Sequence, residues 1–165
     1  HLANYDDLTN LPTRRLALDR FNTAIAWAKR NNTKVALLFI DLDGFKKVND
    51  NYGHEIGDQV LKYVGSLFLE CVREIDTVAR LGGDEFLVIL NSVVAVSNVE
   101  FVANKMISRI SNIIEIKNKK IKIGCSIGIS LFPENGNDSK ELIKKADKAM
   151  YVVKHSGKNN FKFAE

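Results

Sequence analysis

Val35-Ala-Leu-Leu-Phe-Ile40 is an unbroken apolar run of six residues that stops on Asp41-Leu42-Asp43. Six residues are too few for a helix, and an apolar run without alternation fits a strand covered on both faces. Such a strand needs a layer on each side of its sheet, so helices packed against a central sheet are expected. Pro12 opens a helix in which Leu18, Phe21, Ile25 and Ala28 share a face, and Asn31-Asn32 stops it. A second helix over about 57–71 carries Val60, Leu61, Val64, Leu67, Phe68 and Cys71 as its apolar stripe. Residues 77–81 and 86–90 are β-rich runs flanking Gly82-Gly83-Asp84-Glu85, whose glycines can take the positive φ of a tight turn. Ser97 with Glu100 is a capping-box pattern for a helix with Val99, Val102, Met106, Ile110 and Ile113 inward. A strand over 121–131 and a turn at Pro133-Glu-Asn-Gly136 follow. Asp138 with Glu141 then opens a helix to about Lys154 that buries Leu142, Ile143, Ala146, Met150 and Val153. A short strand near 161–163 closes the chain. This order predicts an α/β (α+β) sandwich whose central, mostly antiparallel sheet is built on a βαββαβ core.

Length and composition narrow the class. The 165 residues show no repeat, low-complexity tract or Pro/Gly-rich linker, so one domain over 1–165 is expected. No apolar run approaches the roughly 18–20 residues of a membrane span, and no secretory signal opens the chain. His1 stands close to the first helix signal, so the domain reads as a module cut from a longer protein that could carry a sensor or membrane anchor elsewhere. Cys71 and Cys125 lie far apart without metal-ligand spacing and read as reduced core residues, which favours the cytoplasm. Charge is uneven: residues 1–85 hold 11 basic and 13 acidic side chains, and residues 86–165 hold 13 and 7. A basic half is compatible with nucleic acid or an anionic membrane. Its lysines carry no interleaved stacking aromatics, however, and Lys144, Lys145 and Lys148 fall mostly on the outer face of a helix. Neither nucleic acid nor membrane contact is expected of this domain.

Two acidic clusters stand where packing does not call for acids. Period two points Asp41 and Asp43 to one face of their strand and Leu42 to the other, while Asp84-Glu85 sits at the hairpin tip. If the hairpin pairs beside strand 35–41, carboxylates from neighbouring strands converge, and they repel unless a cation or proton stabilises them. Hard oxygen donors suit Mg²⁺, which takes one or two carboxylates with waters and substrate phosphates. Two such ions can stabilise the attacking and leaving oxygens of a phosphoryl transfer. On spacing alone, acids that merely cap strand ends and turns are an equal alternative. Lys46 and Lys47 follow within one turn, where phosphates would lie. Asn49 and Asp58 bracket the loop 50–57; an amide and a carboxylate together can read a guanine edge. The plainer readings are a turn residue and a cap on the helix from Gly57. His54, a loop histidine, is given no catalytic role.

Several ordered blocks resemble one family. Asp6-Asp-Leu-Thr9, Ile40-Asp-Leu-Asp-Gly-Phe-Lys46, Asn49-Asp50, Gly53-His54, Gly57-Asp58, Arg80-Leu-Gly-Gly-Asp-Glu-Phe86, Ser126-Ile-Gly-Ile129 and Ala146-Asp-Lys-Ala-Met-Tyr151 match GGDEF domains in order and spacing. The resemblance covers nearly the whole chain. It implies a fold like that of class III nucleotide cyclases and the polymerase palm. It also implies a diguanylate cyclase, in which two GTP-loaded domains meet antiparallel and each 3′-hydroxyl attacks the other's α-phosphate.

The resemblance also distributes roles. Asp41, the Leu42 carbonyl and Asp84 match metal-binding positions for two Mg²⁺ per GTP, with Mn²⁺ able to substitute. Asp84 matches the proton acceptor, with Glu85 supporting the metal site. Lys46 matches a phosphate contact that stabilises the transition state, and Asn49 and Asp58 match the guanine-binding pair. Asp58 argues for GTP alone, because relatives that also accept ATP tend to carry Ser there. Phe45, Gly82 and Gly83 belong to the nucleotide site, and Lys154 and Lys158 match a basic pair on the triphosphate. Arg73-Glu-Ile-Asp76, five residues before Gly82, resembles the family's inhibitory site for cyclic di-GMP; the bland alternative is a helix-end ion pair. Three positions depart from the pattern: Thr13 for a common Asn, Lys158 for a frequent Arg, and Gly44 for a residue often His or aromatic. The Asp-Leu-Asp-Gly-Phe version looks like GGDEF domains in tandem with EAL phosphodiesterase domains, so regulatory or EAL domains are expected partners in the full-length protein. An active homodimeric cyclase is thus expected, and the alternative is a silent GTP- or cyclic di-GMP-binding regulatory module.

Overall fold

A computed structural model describes residues 3–165. The apolar run becomes β1 (Lys34–Asp43), the middle strand of a five-stranded sheet. The sheet order is β2 (Thr77–Gly82), β3 (Glu85–Val93), β1, β6 (Gly124–Phe132) and β7 (Asn160–Phe163). β1 pairs antiparallel with β3 and β6, β2 pairs antiparallel with β3, and β7 lies parallel to β6. Paired on both sides and covered on both faces, residues 35–40 and Leu42 are essentially inaccessible. Ala36, Leu38, Ile40 and Leu42 face a layer made by α2 (Phe45–Tyr52), α3 (His54–Glu70) and α4 (Val96–Ile110). Val35, Leu37 and Phe39 face α1 (Arg14–Asn31) and α5 (Ser139–Lys154). The same alternation carries Asp41 and Asp43 to the α1/α5 side. The βαββαβ expectation holds.

Five local expectations need correction. The first helix begins at Arg14, because Pro12 is tied in a bridge to Tyr5 and accepts a hydrogen bond from the Arg80 amide. Its inward row is Ala17, Phe21, Ile25 and Ala28; Leu18 lies a step round the helix and is 38% exposed. The loop 50–57 is instead the junction of two helices, α2 and α3, broken at Gly53 with φ +88°. α3 therefore starts at His54, and Asp58 sits on an exposed face inside it, not at its cap. Ala95, not Ser97, is the N-cap of α4, no side chain caps it, and Ile113 lies beyond its end, exposed. The strand expected over 121–131 is two strands, and a small hairpin of β4 (Ile114–Ile116) and β5 (Lys119–Ile121) precedes β6. Its turn residues Lys117 and Asn118 both have positive φ (49° and 65°) without a glycine to signal it.

α5 crosses β6 unusually closely. A methyl group placed at Gly128 would lie 1.9 Å from the Ala146 carbonyl oxygen and 2.3 Å from the Met150 amide nitrogen, both backbone atoms. That approach seats the end of α5 against the end of β1. Asp138 caps the helix by accepting from the Glu141 amide (2.8 Å). Gly128→Ala should therefore push α5 off the sheet and cost about 2–3 kcal/mol, measurable by urea unfolding; a loss within error would show that α5 shifts freely.

Candidate active site

The end of β1 and the start of β3 form one acidic edge. Asp41 is register partner to Glu85, and the Leu42 amide donates to the Asp84 carbonyl (3.1 Å), stitching the hairpin turn to β1. Gly82 (φ 135°) and Gly83 (φ 52°) shape the turn, and a side chain at either would meet nothing within 4 Å, so the space beside it is open. Arg80 holds the turn from behind. Its Nε and Nη2 donate to the Gly83 carbonyl (3.1 and 2.9 Å), and Nη1 donates to both Asp6 oxygens (3.0 and 3.1 Å). Asp6 also accepts from the amide and hydroxyl of Thr9 (2.9 and 2.7 Å). Burial opposes ionisation of Asp6, but these bonds from Thr9 and Arg80 hold its carboxyl below the usual carboxylate range.

Asp41 and Asp43 share a face yet have opposite fates. Asp43, 7% exposed, is saturated: it accepts from the Ser126 hydroxyl (2.8 Å), the Lys154 ammonium (2.9 Å) and the Asn159 amide (2.8 Å). Asp41 is not. Its Oδ1 is buried without a hydrogen-bond partner, the nearest cation being Lys154 Nζ at 3.7 Å. Burial and the facing Asp84 push the Asp41 carboxyl up to about 6, with Glu85 adding and Lys154 opposing. Glu85 is likewise pushed up by burial, then by Asp147 and Asp84, against Arg14. Among the described residues no three acidic, His or Cys side chains form a ready-made metal cage. Asp41, Asp84 and the Leu42 carbonyl nevertheless fit Mg²⁺, which takes few carboxylates and completes its shell with water and phosphate. The orphaned Asp41 oxygen is the observation that supports that fit. The Leu42 carbonyl accepts from Lys154 Nζ (2.8 Å), so an ammonium already lies within the cluster.

The α2–α3 corner adjoins this edge. Lys46 is exposed in the first turn of α2, whose leading amides have no intrahelical partners and favour an anion. The Phe45 ring is buried in the core, so only its backbone could meet a ligand. Asn49 lies over Gly57: a methyl group there would sit 1.8 Å from Asn49 Oδ1, which is buried and unpartnered. Asp58, one residue on, is exposed. Lys158 is exposed in the loop after α5, with φ +60°.

Arg73 and Asp76 lie elsewhere, at the open end of β2. The Asp76 carboxylate is buried and accepts from the Arg73 amide (2.9 Å), Nε (3.1 Å) and Nη2 (3.1 Å), and from the Asn91 amide (2.9 Å). Arg73 Nη2 also donates to the Asn91 carbonyl, and its side chain remains half exposed. A cleft of about 530 Å³ between α1 and this strand end includes Arg20, Trp27, Asp76 and Asn91. Sequence reasoning gave no role to Asp6, Arg80, Ser126 or Asn159. The first three stand in the quoted blocks, but a pairing across 74 residues, as for Asp6 and Arg80, leaves no local signal.

The Asp41 carboxyl is raised on folding, so its contribution to stability is present below about 4 and is lost as pH rises through about 6. In chelator, wild type should lose stability relative to Asp41→Asn across that window. Added Mg²⁺ should raise the wild-type melting temperature above pH 6 and leave Asp41→Asn unchanged. Thermal scans in which both proteins respond alike would argue against the site.

Similarity to known proteins identifies the family. The family model for the diguanylate cyclase GGDEF domain matches residues 3–160. The bifunctional diguanylate cyclase/cyclic di-GMP phosphodiesterase MucR of Pseudomonas aeruginosa is 44% identical over 164 residues, covering 99% of this chain and 24% of MucR. The cyclic di-GMP phosphodiesterase PdeR of Escherichia coli is 42% identical, covering 97% of this chain and 24% of PdeR. The chain thus spans about a quarter of these relatives' length. The solved GGDEF domain of TpbB (YfiN) from Pseudomonas aeruginosa superposes with a TM-score of 0.95 at 35% identity, covering 98% of this chain and 94% of that one. No helix among the described residues is long and apolar enough to cross a membrane. With the family model matching residues 3–160 and a solved GGDEF domain superposing over nearly the whole chain, the chain belongs to the GGDEF diguanylate cyclase domain family.

Proposed function

We propose that the domain condenses two GTP molecules into cyclic di-GMP across a homodimer. The observation that carries the reading is the convergence of Asp41 at the end of β1 with Asp84 in the hairpin turn and Glu85 at the start of β3, with one buried carboxylate oxygen left unpartnered. Bound Mg²⁺ would screen these carboxylates from the triphosphate and neutralise charge on its oxygens. Asp41, Asp84 and the Leu42 carbonyl would hold it. Asn49 and Asp58 would orient guanine, and Lys46 with the first-turn amides of α2 would bind phosphate. Lys154 and Lys158 would complete the phosphate contacts, Lys154 from its place beside Asp41.

In each transfer the 3′-oxygen of one GTP forms a bond to the α-phosphorus of the other. The bond to the β-phosphate oxygen breaks, pyrophosphate leaves with the electron pair, and Asp84 takes the hydroxyl proton. Two such transfers close the ring and release two pyrophosphates. One copy presents one acidic edge, so a second copy must supply the other nucleotide. Arg73, half exposed while Asp76 anchors its fork, is the group that would meet returning product, through a phosphate or a guanine Hoogsteen edge. MucR's two activities, and its length, support a companion EAL domain in the full protein.

A silent regulatory module is the second reading. It is favoured by PdeR, a relative over nearly the whole chain that is named for phosphodiesterase activity. Incubation with GTP and Mg²⁺ over a range of protein concentrations separates the two. Cyclic di-GMP should form at a rate rising faster than linearly with protein, and Asp84→Ala should abolish it. Tight GTP binding without product, even in an enforced dimer, would establish the silent module instead. Gly57→Ala should fold normally, because the Asn49 side chain can swing aside. GTP should then bind about tenfold more weakly, the worth of one displaced hydrogen bond; unchanged affinity in calorimetry would remove Asn49 from guanine recognition.

A further inference from the structure

A cleft of about 280 Å³ opens between the N-terminal turns of α1 and α5 and the β2–β3 hairpin. Its walls are Leu18, Leu81, Leu87 and Ile143. Leu81 and Ile143 are half-buried against the α1/α5 core, to which Leu87 belongs. Three polar residues complete the lining: Arg14, Ser139 and Lys140. Ser139, the first residue of α5, is 9% exposed, and its hydroxyl has no hydrogen-bond partner among the described residues. A buried hydroxyl left unsatisfied beside a cleft marks a place for a ligand's acceptor. Among the described residues neither Arg14 nor Lys140 has a carboxylate within ion-pair distance; Arg14 feels Glu85 and Asp147 only at longer range. The acids flanking Ser139 are engaged elsewhere. Asp138 accepts from the Glu141 amide (2.8 Å), while Glu141 accepts from the Asn137 amide (3.2 Å) and pairs with Lys145 (3.6 Å).

We propose that this cleft binds a small amphipathic carboxylate, its apolar body among the leucines and its charged end on Arg14, Lys140 and Ser139. Charge complementarity selects an anion, because two cations, an unsatisfied hydroxyl and the positive end of the α5 dipole border the same cleft. The four aliphatic walls select a body, which a bare phosphate lacks. The volume lies at the lower end of small-molecule sites and suits a short aliphatic chain or a single ring. Leu81 adjoins Gly82 and Leu87 follows Glu85 by two residues, so the bound body touches both strands of the hairpin that carries the acidic turn. Occupancy therefore restrains that turn from a place of its own, since no lining residue is assigned to nucleotide or metal.

Titration calorimetry and amide-resolved NMR with octanoate test this. Octanoate should saturate the protein with a Kd on the order of a millimolar or tighter, and should shift the amides of Leu18, Leu81, Leu87 and Ile143. Octanamide, its uncharged isostere, and inorganic phosphate, an anion without a body, should each bind at least ~10-fold more weakly. Arg14→Gln should weaken octanoate binding ~10-fold and Ser139→Ala ~3-fold. Phe101→Ala, at a 67% exposed residue of α4 on the opposite layer, should leave it unchanged. The same spectra show that each variant keeps its fold. Absence of saturable binding, shifts confined to other surfaces, or wild-type affinity in both Arg14→Gln and Ser139→Ala would overturn the proposal. So would octanamide or phosphate binding as tightly as octanoate, because either result removes one half of the ligand's chemistry.

Discussion

A carboxylate at the end of a buried strand has to be satisfied, and Asp43 shows how far that requirement reaches. It receives the Ser126 hydroxyl from β6, the Lys154 ammonium from α5 and the Asn159 amide from the entry to β7. Leaving such a group unpaired would cost several kcal/mol. One side chain therefore fixes the relative positions of three elements around the end of β1. The close crossing at Gly128 allows α5 to lie near enough for Lys154 to take part. The loop carrying Lys158 is set by the same bond, because Asn159 follows it directly.

The neighbouring Asp41 is the counterpoint. It lies on the same face two residues away, meets Asp84 and Glu85, and keeps a buried oxygen without a hydrogen bond. Native proteins seldom tolerate that arrangement, and unsatisfied buried groups concentrate where a ligand supplies the missing partner. A saturated acid builds the frame, and the unsaturated one beside it is the acid to which the proposed function assigns a metal. The Asp6–Arg80–Gly83 chain makes the second frame, bracing the hairpin turn from the N-terminal segment so that Asp84 is held in place while the space before the turn stays open.

Arg73 and Asp76 are placed unequally. The bland and functional readings of this pair are not exclusive, because the ion pair that closes the turn also holds the guanidinium in a defined position. Asp76 is consumed by the fold, while Arg73 retains an exposed edge beside the cleft at α1. The α2–α3 corner works similarly. Phe45 turned inward and became core, while Lys46 and Asp58 remain exposed and Asn49 lies over a glycine.

The sequence by itself determined the layered sheet and most of its elements, because burial leaves a periodic trace. An unbroken apolar run can only be an interior strand, and the stripe of the 57–71 helix came through unchanged. Motif spacing also marked the acids. Short or strained pieces left no such trace. α2 is eight residues ending in poor helix formers, and the β4–β5 turn uses Lys117-Asn118 where glycine would have announced it. Tertiary structure alone decided that Asp43 is saturated with hydrogen bonds while an Asp41 oxygen is left without one, that Lys154 lies among the acids, and that Arg80 clasps Asp6. Each of those outcomes depends on contacts between residues far apart in the chain, up to 74 positions for Asp6 with Arg80 and 116 for Asp43 with Asn159. A local pattern can say which face a side chain takes, but only the packed chain settles which partner waits there.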